Sequence, residues 1–395
     1  MVYQSFAQAQ SFFLWSVFGI AVVMGALVNK TNFCTMGAVS DWVNMGDTGR
    51  LRSWMFAIAV AMLGVTILEA SGLINLTSTF PPYRASQLVW AQNLLGGLMF
   101  GVGMTLASGC GNKALIRIGG GNLKSVMVVA IIGLIAYFMA NPLPGTDQTL
   151  YTILFYDWIS PLSITLKTSQ DLGAIVAAGS GTPANARLAV GIILGLALLA
   201  YVFISADFRG SLDNILGGLV VGLAVLAVWY VTSNVMVSAD GQNFPLQNFV
   251  AEQWDMYAAP GDLKPADSRP LSVQSFTFIN PMGQTVGYAI DGFKATALNI
   301  GVMVLTGVIL GSLLWSLISR SFRIEWFASV KDFVNHFVGA ILMGFGGVLA
   351  MGCTIGQGVT GVSTLAVGSI ITLIAIIAGT AATMKYQYWR MMNEA

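Results

Sequence analysis

Two stretches decide the fold: GGLMFGVGMTLASGC at Gly96–Cys110 and GAILMGFGGVLAMGC at Gly339–Cys353. Placing Cys110 on Cys353, a shift of 353 − 110 = 243, superposes Gly96, Gly101, Gly103, Leu106, Ala107 and Gly109 on Gly339, Gly344, Gly346, Leu349, Ala350 and Gly352. Glycine packs membrane helices closely, so glycines alone recur by chance. A shared order that ends on a rare cysteine marks an internal repeat instead. A weaker echo links Phe18-Gly19 and Gly25 with Gly217-Gly218 and Gly222, in a copy without a cysteine.

Outward from these stretches the chain reads as a membrane protein. A bilayer core needs about 20 mainly apolar residues per helix. Runs of that kind lie near 11–29, 54–76, 88–109, 125–141, 188–205, 212–236, 295–319, 333–352 and 365–384. Of the 395 residues, 56% are AVILMFWYC and only 9% are charged, against roughly 25% charged in an ordinary soluble protein. So few charges cannot cover a water-exposed surface of this size. The net charge of +1 offers no basic face for nucleic acid. The expected fold is all-α and polytopic, with about nine transmembrane helices and re-entrant or broken helices in an inverted-topology repeat.

Residues 1–141 form the first half of that repeat. Residues 142–211 connect the halves and carry one span. Residues 212–395 form the second half and contain a polar insert at 237–290, expected as an external loop or cap. Met1 to Gln10 lack Lys and Arg, so the first apolar run is expected to be a retained span, not a cleaved signal. With the N-terminus outside and the C-terminus in the cytoplasm, Lys30, Arg50, Arg52, Lys113, Arg117, Lys124, Arg209, Arg320, Arg323, Lys331, Lys385 and Arg390 fall inside. Arg84, Lys167, Arg187, Lys264, Arg269 and Lys294 fall outside, and the imbalance follows the positive-inside rule. The expected location is a bacterial inner membrane.

The chemistry points to three cysteines. Cys34, Cys110 and Cys353 each lie where an apolar run gives way to Gly, Thr and Asn. Irregular backbone at membrane depth is tolerated only where protein or a cavity receives it. No CxxC is present, which removes the spacing of a metal ribbon or a thioredoxin-like couple. A lone membrane cysteine commonly packs as a small hydrophobe. Three at helix breaks, two of them repeat-equivalent, read as a substrate path.

The surrounding motifs are NFCTMGAVSD at Asn32–Asp41, SGCGNK at Ser108–Lys113 with GGGNLKS at Gly119–Ser125, and GCTIGQGVTGVS at Gly352–Ser363. They resemble, in order and over most of both halves, the YeeE/YedE family of sulfur-compound transporters. The resemblance implies a thiosulfate importer whose path is lined by these three cysteines. It also implies a small cytoplasmic sulfur-carrier or sulfurtransferase partner. The long 142–187 and 237–290 segments depart from the simplest members of that family.

Physical reasoning adds a mechanism. A dianion entering against an inside-negative potential is opposed by about 2.3 kcal/mol per charge per 100 mV. Conduction then needs several weak sites, not one deep one. Neutral thiols supply weak S–H donors and soft sulfur, and burial in an apolar wall favours the neutral form. The expected device is a non-covalent S–H relay. Around it, the backbone N–H groups of Gly109, Gly111, Gly119 to Gly121, Gly356 and Gly358 serve either as anion-binding nests or as close packing. Asn112, Thr354 and Gln357 are candidate hydrogen-bond donors. Lys113 and Arg117 either draw the anion in or anchor the cytoplasmic face.

Other groups are given blander roles. Glu69, in an apolar run, is a candidate coupling proton site, with a place at the outer interface beside Ser71 the favoured reading. His336, the single histidine, supports neither a triad nor a His-based metal centre. Trp54, Trp90, Trp326 and Trp389 are expected in interfacial belts. No haem, flavin or phosphate-loop signature is present, so no cofactor is expected and the chain is not read as an enzyme. Three alternatives stay open: transport of another sulfur or selenium anion, a membrane thiol–disulfide enzyme, and a structural subunit of a sulfur-handling complex.

Overall fold

The computed structural model describes residues 1–178, 182–259, 262–265 and 271–394. Asp267 and Arg269 lie outside the described residues. The apolar runs form helices because lipid offers no partner for a backbone N–H or C=O, and a helix satisfies both internally. Six are α1 (Phe6–Thr31), α2 (Thr35–Met45), α3 (Gly49–Ala70), α4 (Trp90–Leu106), α5 (Gly111–Gly119) and α6 (Leu123–Ala140). Six more follow: α7 (Pro183–Ile204), α8 (Leu212–Asn234), α9 (Ile279–Ile290), α10 (Ile300–Ile318), α11 (Val330–Leu349) and α12 (Val367–Glu394). Among the described residues, 9 candidate spans have the length and apolarity to cross a membrane, and each expected span has its helix. Polar side chains begin many of them: Ser5, Asn122, Ser211, Asn299 and Ser329 each accept a first-turn backbone N–H.

Helices α2, α5 and α9 are too short to span, as is a π-helical turn at Gly356–Gly361. They are the broken pieces of the two halves. In the first half a long helix leads into α2 and then α3, and a second leads into α5 and then α6. In the other half α8 precedes α9 and α10, and α11 precedes the π turn and α12. Packing respects this correspondence. Helix α1 lies on α10 and α3 on α8; α4 lies on α12 and α6 on α11.

Glycines make the exchange visible. A Cβ on Gly96 would lie 2.6 Å from Gly346 O, and one on Gly339 would lie 2.6 Å from Gly103 O. The shift of 243 carries Gly96 onto Gly339 and Gly103 onto Gly346, so each contact is the image of the other. Helices α4 and α11 therefore cross antiparallel with their backbones touching, which only residues without a side chain permit. Polar side chains add to the packing. Asn29 Nδ2 donates to Ser312 Oγ and Ser316 Oγ at 2.9 and 2.8 Å, joining α1 to α10. Asn93 Nδ2 donates to Gly368 O and Thr372 Oγ1 at 2.8 and 2.9 Å, joining α4 to α12.

The expected polar cap at 237–290 divides in two. Met236–Ala239 and Gln242–Pro245 pair antiparallel, and Val2–Tyr3 adds a parallel strand on the N-terminal face. Residues 271–279, by contrast, are buried apart from a half-buried Val273, and they lead into α9. Thr232 Oγ1 donates to Gln274 O at 2.8 Å, and Ser275 Oγ donates to Val225 O at 2.7 Å, pinning this strand-like stretch to α8. The polar composition that suggested a loop is here the hydrogen-bonding capacity of a chain that enters the protein. Trp54 also differs from expectation. It is buried and stacked on Phe33, 6.2 Å between ring centres, whereas Trp326 and Trp389 are exposed. Phe33 and the π turn at Gly358 cover Trp54.

Candidate functional site

Each cysteine sits at the same place in the same local device. Helices α1, α4 and α11 end, and a left-handed residue follows: Asn32 at φ 51°, Ser108 at φ 58° and Met351 at φ 55°. Two residues later comes Cys34, Cys110 or Cys353, and a new short helical segment begins directly after it. The left-handed residue turns the chain, and the cysteine stands at the cap of the segment that leads away. Cys34 Sγ accepts from Gly37 N at 3.5 Å, and Cys353 Sγ accepts from Gly356 N at 3.4 Å. Cys110 caps α5 in an extended conformation with no side-chain cap bond. In the fourth such place, before α9, the cap position is Phe278.

The three thiols converge. They are 7%, 2% and 0% exposed for Cys34, Cys110 and Cys353, and none is in a disulfide. Cys110 lies within electrostatic reach of both other thiols and beside the Thr354 hydroxyl. Thr354 Oγ1 and Asn112 Oδ1 are buried, and neither has a hydrogen-bond partner among the described residues. Gln357 differs: its amide donates to Ala350 O at 2.6 Å and accepts from Ser369 Oγ at 2.5 Å, so it braces the Cys353 segment.

The glycines divide likewise. Gly109 N donates to Met104 O, Gly120 N to Ile116 O and Gly121 N to Ile118 O, which closes the ends of α4 and α5. Gly119 packs on the backbone of α10, and Gly358 lies against the Trp54 ring. Gly111, the first residue of α5, packs against Ile279 and Met282 of α9. For most of these positions the packing reading accounts for the glycine.

One face of the protein opens beside the turns that carry Cys34 and Cys110. A cavity of about 750 Å³ is lined by Asn32, Ser108, Lys113, Arg117, Lys124, Arg320, Arg323, Glu325, Asp332 and His336 among others. Lys113 Nζ donates to Asn32 Oδ1 and stands within electrostatic reach of Cys34 and Cys110. Arg117 lies beside Gly109. Lys124 pairs with Asp332 at 2.9 Å, and His336 Nδ1 lies 3.0 Å from the same carboxylate. Lys113, Arg117, Arg320 and Arg323 leave the cavity positive overall.

The opposite face is shut over Cys353. Tyr83 is buried and its hydroxyl donates to Gly356 O at 2.7 Å. A void of only about 10 Å³ lies between Tyr83, Asn93, Gln170, Met351, Gln357 and Ser369, about one water's worth. Glu69 is neither free nor isolated: both its oxygens take the Arg84 guanidinium, one at 2.8 Å.

Sequence reasoning missed two contributors here. Arg50, bonded to Asp41, lies against Gly37 and within electrostatic reach of Cys34. Tyr83 comes from a loop far from any cysteine in sequence. The Arg50–Asp41 spacing across the end of α2 was the one signal available; for Tyr83 there was none.

The family described as Sulphur transport matches residues 30–382. The thiosulfate transporter TsuA of Spirochaeta thermophila is 21% identical over 367 residues, covering 93% of this chain and 96% of that protein. The thiosulfate transporter TsuA of Escherichia coli is 22% identical over 375 residues, covering 94% of each. The matched region takes in all three cysteine devices and both halves, and the chain belongs to the YeeE/YedE sulphur transport family of membrane transporters.

Proposed function

We propose that this protein imports thiosulfate, or a closely related sulfur-containing anion, along a path through Cys34, Cys110 and Cys353. The observation that carries the reading is the convergence of three buried thiols, one from each of three re-entrant segments, beside a basic cavity. In this reading residues 1–141 and 212–395 are the two repeat halves, and 142–211 join them. The thiols act as neutral S–H donors that hand the anion on without a covalent step. Lys113 and Arg117 attract it at the basic mouth, and Asn112 and Thr354 assist at the centre. A dianion crossing inward is opposed by about 4.6 kcal/mol per 100 mV. A row of weak neutral donors binds it enough to enter and lets it leave, where a buried Arg would hold it.

The basic mouth faces the cytoplasm of a bacterial inner membrane, the N-terminus lies outside, and consumption of the anion inside draws it through. A small cytoplasmic sulfur carrier or sulfurtransferase receives it. The ends of the chain lie at opposite faces, as this orientation requires. Met1 N bonds Asn234 O at the closed face, and α12 runs from beside Gln170 at that face to Tyr388 and Met391 near the end of α2. The names of the two relatives support thiosulfate over other anions; another sulfur or selenium anion is the second reading, because soft thiols do not distinguish these closely.

Uptake of radiolabelled thiosulfate into cells lacking their own importer tests the reading. The wild-type chain is expected to restore uptake, and Cys353→Ala to abolish it at equal membrane abundance. Undiminished uptake by a chain lacking all three thiols would overturn the relay. No uptake by the wild type would overturn thiosulfate as substrate.

A further inference from the structure

Beside the thiols lie buried nitrogen and oxygen atoms that lack partners. Trp54 Nε1, Trp229 Nε1 and Thr277 Oγ1 have no hydrogen-bond partner among the described residues. All three side chains are deeply buried, at 3%, 0% and 3% exposure. An indole N–H is a donor and nothing else, and a buried donor left unpaired costs about 1–3 kcal/mol. Eight buried side-chain atoms lack partners among the described residues; these three are donors grouped around the Gly356–Gly358 turn after Cys353, where an acceptor can arrive from outside.

Their positions are particular. The Trp54 ring lies between Phe33, which precedes Cys34, and Gly358, five residues after Cys353. It therefore spans the Cys34 and Cys353 segments. Thr277 Oγ1 would be 2.5 Å from a Cβ on Gly356, whose N–H bonds Cys353 Sγ. The Trp229 ring packs edge-on against Tyr83, 6.2 Å between centres, and Tyr83 bonds Gly356 O. Trp229 and Thr277 thus stand on the Tyr83 side of the Cys353 segment, and Trp54 packs between the Cys34 and Cys353 segments.

We propose that Trp229, Thr277 and Trp54 are substrate-positioning donors that hold the oxygen end of the anion while the thiols meet its soft end. The inference deepens the reading above and rests on it. It names the substrate class: a tetrahedral oxyanion carrying one soft sulfur or selenium atom. Neutral N–H and O–H donors bind oxygen without adding charge, so they steer the anion without trapping it. Alternating them with sulfur keeps some donor within reach at each step. Thr277 belongs to the buried stretch ahead of α9, so the copy without a cysteine contributes a hydroxyl instead.

The test compares concentration-dependent uptake of radiolabelled thiosulfate by Trp54→Phe, Trp229→Phe, Thr277→Val and Thr277→Ser with the wild type. Membrane abundance and thermal stability in detergent are measured alongside. Phe keeps the ring packing and loses the N–H; Val keeps the shape of Thr and loses the hydroxyl; Ser restores it. The expected result is an apparent KM about tenfold higher for Trp54→Phe and Thr277→Val, with Thr277→Ser near wild type and Vmax less affected. A purely structural role would lower stability or abundance and leave KM in place. Unchanged KM in Trp54→Phe and Thr277→Val, with the wild type active, overturns the proposal and leaves the importer reading intact. An inactive wild type overturns both. Should Trp54→Phe fail to reach the membrane, Thr277→Val against Thr277→Ser decides alone.

Discussion

At the scale of the residue, the proposed path rests on three left-handed positions as much as on three cysteines. Asn32, Ser108 and Met351 each hold φ near 50–60°, a region that costs an ordinary L-residue roughly 1–2 kcal/mol. Asn tolerates it best, Met least. The strain persists because the residue must turn the chain and deliver a cysteine to the cap two positions on. Met351→Gly removes the Cβ conflict, and its neighbour Gly352 already leaves the backbone room. The variant is expected to keep uptake and gain about 0.5–1 kcal/mol of stability, less the entropy that glycine adds to the unfolded chain. Thermal unfolding in detergent measures it; a loss of stability would mean that the Met351 side chain, beside the small void, contributes packing that outweighs its strain. The cysteines were legible in the sequence because each stood at a break in an apolar run. Their partners were not. Trp54, Thr277 and Tyr83 reach the site from segments with no motif, and only the fold brings them within contact.

At the scale of the element, the determining contact is the crossing of α4 and α11. Four glycines, Gly96, Gly103, Gly339 and Gly346, place backbone against backbone, each with a carbonyl oxygen 2.6 Å from where a Cβ would be. Neither helix can retreat alone, since α4 is also held by α12 and α11 by α6. Gly103→Val is therefore expected to push the two apart and to misplace Cys110 and Cys353 together, because both segments hang from these helices. The expected outcome is a large loss of folded protein in the membrane, read by detergent-resistant monodispersity, and uptake near background. Gly145→Ala, where a Cβ would meet nothing although φ is 78°, should cost about 1 kcal/mol and leave uptake intact. Normal activity in Gly103→Val would show that the crossing is not what sets the site. This crossing was readable in advance, because the Gly spacing repeated at a fixed shift. The re-entrant stretch ahead of α9 was not: its Ser, Thr and Gln residues carry the composition of a surface loop, and only the bonds of Gln274 O, Ser275 Oγ and Phe276 O to Thr232, Val225 and Thr360 turn it inward.

At the scale of the whole molecule, one charged network joins pieces from both halves and the connector at the closed face. Arg84 takes both oxygens of Glu69 from α3 and donates through Nε to Thr364 O, just past the π turn, at 3.1 Å. Arg187 of α7 donates to both oxygens of Asp171 at 2.9 Å and reaches Glu69 at 3.8 Å. The connector then bonds the start of α12, with Val367 N donating to Gln170 O and Leu172 N to Leu365 O, both at 3.0 Å. Burial alone would raise the Asp171 carboxyl, but hydrogen bonds from Arg187, Ser169 and the Ala174 N–H outweigh it and hold it below the usual carboxylate range. A carboxyl whose folded pKa is depressed stabilises the fold fully above its unfolded value, near 3.8, and that contribution is lost as pH falls through the folded value. Asp171→Asn keeps the shape and removes the charge. At neutral pH it is expected to lower stability by about 1–3 kcal/mol. The gap between wild type and variant should then close as pH drops below about 4, because acid does to the wild type what the substitution has already done. Thermal unfolding of the two purified proteins from pH 7 to pH 3 reads the gap directly. A gap that stays constant over that range would mean the Asp171 charge does not fasten the connector, and that its backbone bonds to α12 hold the closed face on their own.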